Sequence, residues 1–239
     1  MEKNKLKLDT KRIFMCLNIM LILSIVLGDI CYIAFDTLLA KSLTSALFVL
    51  LGGVNLLYLI LNKNNNLKFP IIMLVGLVFA MCGDIVLEVE FIVGAALFAI
   101  GHIFYFVAYC FLQKFKWVDL LYGAAIFIPA VIFITAIPIF DFGGVLMEIV
   151  CVVYAIIISC MVGKAISNLV EKRTIQNIII VIGSLLFFFS DLMLLLNIFA
   201  SLPKVVGVLC LATYYPAEFL LAYSIFIHKN KEQEKLENK

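Results

Sequence analysis

Long apolar runs separated by short polar clusters dominate this chain. A helix crosses a bilayer with about 20 mostly apolar residues. Eight stretches meet that requirement, over residues 13–35, 43–61, 70–88, 91–112, 119–138, 144–163, 178–199 and 204–228. The connectors are short and leave no room for a soluble domain. The predicted fold is therefore all-α, a polytopic membrane protein built as an eight-transmembrane-helix bundle. It divides into an N-terminal tail (1–12), a transmembrane domain (13–228) and a polar C-terminal tail (229–239). Lys3, Lys5, Lys7, Lys11 and Arg12 precede the first run as they would in a signal peptide. That run is longer than the roughly 7–15 residues of a signal h-region and is followed by no small-x-small cleavage site, so it reads as a retained helix. Asn62-Lys63-Asn64-Asn65-Asn66 before Phe69-Pro70 reads as a solvated loop.

Composition agrees. Of 239 residues, 65% are apolar and 14% charged, against about 25% charged in a soluble domain. A net charge of +2 is too mild for a nucleic-acid partner. With the N-terminus cytoplasmic, 16 of the 18 Lys and Arg residues fall on the cytoplasmic side and only Lys41 and Lys204 on the other. This asymmetry predicts an N-in/C-in topology, in a bacterial-type plasma membrane. The seven cysteines are scattered through apolar runs with no C-x-x-C pair, and read as small membrane-core residues, not as a disulfide frame or a metal site.

Ionisable residues inside spans are costly and therefore functional candidates. Asp29, Asp84, His102, Asp191 and Glu218 lie well inside helices. At about 1.5 Å per residue from the cytoplasmic end, Asp84 and Asp191 lie roughly 20 Å deep, Asp29 slightly deeper, and His102 and Glu218 about 15 Å. All five can share one layer. Small residues a heptad apart precede three of them, Gly76 and Gly83 before Asp84, Gly94 and Gly101 before His102, Gly183 and Ser190 before Asp191. Such spacing gives a face on which helices approach closely. His102, Tyr105 and Tyr109 share one helix face, and Tyr214 and Tyr215 stand one turn before Glu218. Gly28-Asp29, Gly83-Asp84 and Ser190-Asp191 recur in helices of the same direction, as if helix hairpins had been duplicated in parallel. The structural alternative for a lone membrane Asp is a hydrogen bond to a neighbouring helix, and for His102 a neutral packing role. Glu88 and Glu90 read as solvated at a helix end, and His228 as a helix-end residue.

The stretch Gly83-Asp84-Ile85-Val86-Leu87, then Phe91, Gly94, Phe98, Gly101-His102 and Tyr105, resembles the third and fourth helices of the YhhN-like lysoplasmalogenase family. Gly183-Ser184-Leu185-Leu186-Phe187, Ser190-Asp191, Asn197-Ile198-Phe199 and Thr213-Tyr214-Tyr215 resemble its seventh and eighth, and Lys41-Ser42-Leu43-Thr44 its Lys-Pro element. Ser42 replaces the usual Pro, Ile198 stands where a basic residue is common, and Glu218 occupies a Gln position.

The resemblance implies hydrolysis of the vinyl ether of a lysophospholipid, releasing a fatty aldehyde and glycerophosphoethanolamine or glycerophosphocholine, with no cofactor. Protonation of a vinyl ether at carbon needs an acid still protonated near neutral pH and a negative group to stabilise the cation. Two carboxyls in one low-dielectric site provide both. Asp84 and Asp191 are the expected pair, with His102 as partner or proton relay. Asp29, Tyr105, Tyr109, Tyr214, Tyr215 and Glu218 are the expected supporting residues, and Lys41 is expected to meet the lipid phosphate at the outer mouth. The expected partners are the lysophospholipid substrate and the surrounding membrane lipids.

An intramembrane aspartyl protease would carry Gly at Met81, and a zinc hydrolase would need more than two His. A proton-coupled transporter is the alternative from another class, since buried Asp, Glu and His also mark proton relays.

Overall fold

The computed structural model describes residues 2–200 and 202–229, with side chains from Asp9 onward. The tail expected over 229–239 lies, beyond Lys229, outside the described residues, as do the side chains of Lys3, Lys5 and Lys7. Eight helices occur among the described residues: α1 (Glu2–Phe35), α2 (Leu38–Leu61), α3 (Lys68–Leu87), α4 (Phe91–Leu112), α5 (Trp117–Ala136), α6 (Val145–Glu171), α7 (Ile175–Phe199) and α8 (Val205–Phe226). All eight are long and apolar enough to span a membrane, where only internally hydrogen-bonded backbone is tolerated. The chain is an integral multi-pass membrane protein.

Polar residues mark where helices begin. Thr37, Glu90 and Thr174 accept hydrogen bonds from the backbone N–H three residues on, which satisfies donors that a helix start leaves open. Two boundaries differ from the sequence reading. The α2 helix starts at Leu38, so Lys41 lies in its first turns and not in a connector. The α6 helix continues to Glu171, because Lys164, which ends the apolar run, is buried against Asp119 at 2.7 Å and not solvated. Lys164 also donates to the Lys114 carbonyl at 3.1 Å, and Ser167 donates to Asp119.

Helix contacts form a closed ring in the order α2, α3, α4, α6, α7, α8 and back to α2, with α3 also touching α8. The α1 helix lies outside the ring on α2 and α8, while the α5 backbone approaches α6 closely and its Phe133 reaches the Met193–Cys210 cluster of α7 and α8. Because lipid is as apolar as the helix surfaces, packing and interhelical hydrogen bonds hold such a bundle. The α3–α4 contact runs along the expected glycine seam: a Cβ at Gly83 would press on the Phe98 ring and the Gly94 carbonyl, and one at Gly101 would meet the Gly76 carbonyl. The α7–α8 contact uses Gly183 against Leu221 and a hydrogen bond from Ser190 to the Cys210 carbonyl at 2.9 Å. At the end of the bundle where α2 and α8 finish and α7 begins, Asn64 donates to the His228 carbonyl at 3.4 Å, and Gln176 donates to the Ser224 carbonyl at 3.2 Å.

Candidate functional site

Long side chains reach across the interior of the ring and assemble three polar clusters. In the first, Asp84 of α3 is 3% exposed. Lys41 Nζ lies 3.2 Å from its Oδ1, while Ser45 and Tyr215 donate to its Oδ2, Tyr215 at 3.1 Å. An ammonium and two hydroxyls are the donor set of an ionised carboxylate. Lys41 also bonds Glu88 Oε1 at 2.6 Å, and Tyr32 donates to the same oxygen at 2.9 Å. Glu88 is exposed at the end of α3, as expected, but it is engaged there. Partial burial raises its carboxyl, yet the hydrogen bonds from Lys41 and Tyr32 and the Lys41 charge outweigh that and hold it below the usual glutamate range.

The second cluster joins α4, α6 and α7. Tyr154 donates to Asp191 Oδ2 at 2.6 Å. His102 Nε2 lies 2.8 Å from the Tyr154 hydroxyl and 3.2 Å from Asp191 Oδ2. His102 is fully buried, and its Nδ1 has no hydrogen-bond partner among the described residues. The Phe187 ring holds the imidazole edge-to-face at 4.6 Å between centroids.

The third cluster lies deeper. Tyr105 donates to Glu218 Oε2 at 2.8 Å, and Tyr109 and Ser184 share a hydrogen bond of 2.9 Å. Glu218 Oε1 is buried without a partner among the described residues. Glu218 is in electrostatic range of both Asp84 and Asp191. Tyr214 packs against Tyr215 and Phe187, at 4.9 and 5.4 Å, and fills the space among them.

Asp84 and Asp191 each have their own partners, and no hydrogen bond joins them among the described residues. Lys41 is 3% exposed, with its ammonium between two carboxylates. Lys41 entered the charge count as a connector residue, and the two aspartates were grouped by equal depth, which carries no information about position around the ring. Asp29 is buried in α1 within electrostatic range of Asp84, with its Oδ1 unpartnered among the described residues.

Two cavities border the clusters. A narrow apolar one lies among α3 to α7, with Asp191 and Tyr154 on its wall beside Phe98, Ala130, Ile134 and Ile158. A polar one of about 550 Å³ lies at the ends of α1, α3 and α7 and the start of α8, with Lys41, Glu88, Asp36, Asn197 and Lys204 on its wall. Leu87 and Leu194 line both.

The sequence matches the profile of the YhhN family over residues 37–225, most of the chain. The chain belongs to the YhhN family. No curated protein and no solved structure matches it.

In this YhhN chain the match takes in α2 to α8 almost whole, hence the entire ring and all three clusters except Tyr32, and leaves α1 outside it. Ser45 and Tyr154 escaped the sequence reading, and Glu88, read there as solvated, carries the added partners Lys41 and Tyr32. Ser45 sits one turn from Lys41 on the same face of α2, a spacing that was available. Tyr154 stands in an apolar run with no neighbouring motif, and only its contacts reveal it. Of the departures from the family pattern, Ser42 turns its hydroxyl back to the Leu38 carbonyl at 2.8 Å, Ile198 lines the polar cavity, and Glu218 accepts from Tyr105.

Proposed function

We propose that the protein is a lysoplasmalogenase-like ether hydrolase, cleaving the vinyl ether of an alkenyl-lysophospholipid to a fatty aldehyde and a glycerophosphoethanolamine or glycerophosphocholine. The observation that carries the reading is the Asp191–Tyr154–His102 cluster, which meets the wall of an apolar cavity beside a polar one. An amphiphile with a single chain matches that juxtaposition. Membership of the YhhN family is compatible with a hydrolase and supports it.

In the proposed reaction, a proton shared within the Asp191 cluster passes to the outer vinyl carbon, and the electron pair of the double bond forms the new C–H bond. The resulting oxocarbenium ion is stabilised by the negative charge of Asp84, which Lys41, Ser45 and Tyr215 hold in place. Water adds to the cationic carbon and returns a proton to the cluster. The hemiacetal then collapses to aldehyde, and the ether oxygen leaves as the glycerol hydroxyl. Acid and charge-stabilising roles thus fall on separate aspartates, as in paired-carboxylate glycosidases.

The distribution of Lys and Arg supports both chain ends being cytoplasmic in a bacterial-type plasma membrane, which would turn the polar cavity to the outer face. The test is aldehyde release from alkenyl-lysophosphoethanolamine by purified protein in detergent. Asp191→Asn is expected to lose about 10²–10⁴-fold in kcat, the range of a positioned general acid, with its unfolding temperature retained. No release by folded wild-type protein overturns the reading. Proton-gradient-driven uptake into vesicles without aldehyde would establish the transporter alternative.

A further inference from the structure

The polar cavity has an uneven charge supply. Lys41, on its wall, is committed to Glu88, also on the wall, and to Asp84 behind it. Three other lining side chains remain uncommitted. Lys204 and Asn197, on the α7–α8 side, have no hydrogen-bond or ion-pair partner among the described residues, and neither has the Asp36 carboxylate on the α1–α2 side. Gly207 leaves Asn197 its place, since a Cβ there would stand 3.1 Å from Asn197 Oδ1. Asp36 adopts φ 48°, a left-handed conformation that Asp tolerates better than most residues. That conformation sets it at the sharp α1–α2 turn, whereas Lys204 stands at the start of α8. The four charged groups lining the cavity, Lys41, Lys204, Asp36 and Glu88, sum to zero. A ligand with one negative and one positive group of its own keeps this balance and meets both uncommitted charges.

We propose that this cavity selects the lipid headgroup, with Lys204 and Asn197 taking the phosphate and Asp36 the ammonium, so that Lys204 and Asp36, not Lys41, determine headgroup specificity. This deepens the lysolipid reading above and rests on it for the identity of the chain. With the phosphate at Lys204, the glycerol passes between Leu87 and Leu194, the two residues common to both cavities. The first carbons of the chain then meet Asp191 and Tyr154.

The test is equilibrium displacement binding with alkyl-lysophospholipids, whose saturated ether cannot be hydrolysed, so that binding is read without turnover. Wild-type protein is expected to bind the ethanolamine lipid about five-fold more tightly than the glycerol lipid, the scale of one partly exposed ion pair. Asp36→Asn, which keeps the left-handed conformation accessible, is expected to bring the two to parity. Lys204→Gln is expected to weaken both about equally, and Lys204→Arg to restore them. Unchanged preference in Asp36→Asn, or unchanged affinity in Lys204→Gln, overturns the inference. Soluble glycerophosphoethanolamine binding as tightly as the lysolipid also overturns it, in favour of a chain-free phosphodiester. Headgroup selectivity with no aldehyde from the alkenyl lipid would sink the hydrolase and keep this inference. Aldehyde release indifferent to both variants would do the opposite.

Discussion

At the scale of single residues, the deepest commitment is Lys41, an ammonium placed between two carboxylates inside the bundle. Removing one member of a buried ion pair leaves an uncompensated charge, at about 3–5 kcal/mol, whereas replacing both members is often neutral. Lys41→Met is therefore expected to unfold at much lower temperature in detergent, while Lys41→Met with Asp84→Leu recovers most of the stability and none of the activity. Glu88, lowered from an ordinary 4.5, gives a pH signature. A carboxyl with a depressed folded pKa adds stability above its unfolded value, which is lost as pH falls through the folded one. Melting temperatures of wild type and Glu88→Gln should converge as pH drops below about 4.5, and separate again above it. Tyr154→Phe removes a donor to Asp191 without removing the ring. We expect it to lower kcat about ten-fold or more, with KM little changed, and to shift the acid limb of the pH–rate profile.

At the scale of helices, the glycine seam between α3 and α4 decides how near Asp84 and His102 can come to the ring interior. Gly83→Val puts a branched side chain against Phe98 and the Gly94 carbonyl, and overpacking of this kind costs about 1–3 kcal/mol. Loss of thermal stability together with activity would show that the seam positions both clusters. Helix number and the seam were legible in the sequence, because each follows from periodicity and length alone. The ring order was not, since it depends on which apolar faces meet and those faces look alike in lipid-soluble helices. The same blindness hid Tyr154. It also ended the sixth span at residue 163, because a lysine ends an apolar run whether or not an aspartate on a neighbouring helix receives it. A Lys164→Met variant should destabilise through the stranded Asp119, and Lys164→Met with Asp119→Leu should regain most of the loss.

At the scale of the molecule, six helices close around a polar interior, and two helices are left over, on opposite sides of the ring by their neighbours: α1 against α2 and α8, α5 against α6. The leftover helices are not equivalent. The α5 helix is the least buried of the eight spans, and Pro129 within it removes one rung of its own hydrogen-bond ladder. One of its ends is riveted to α6 by the buried Asp119–Lys164 pair, whereas Ala130 and Ile134, towards the other, face the apolar cavity. A staff fastened at its foot and lightly held above it swings most at its tip. A tether between α5 and α6 far from the rivet, such as a cysteine pair across their contact, would thus stiffen the one wall that a lipid tail could push aside, while leaving the ionised interior as it is.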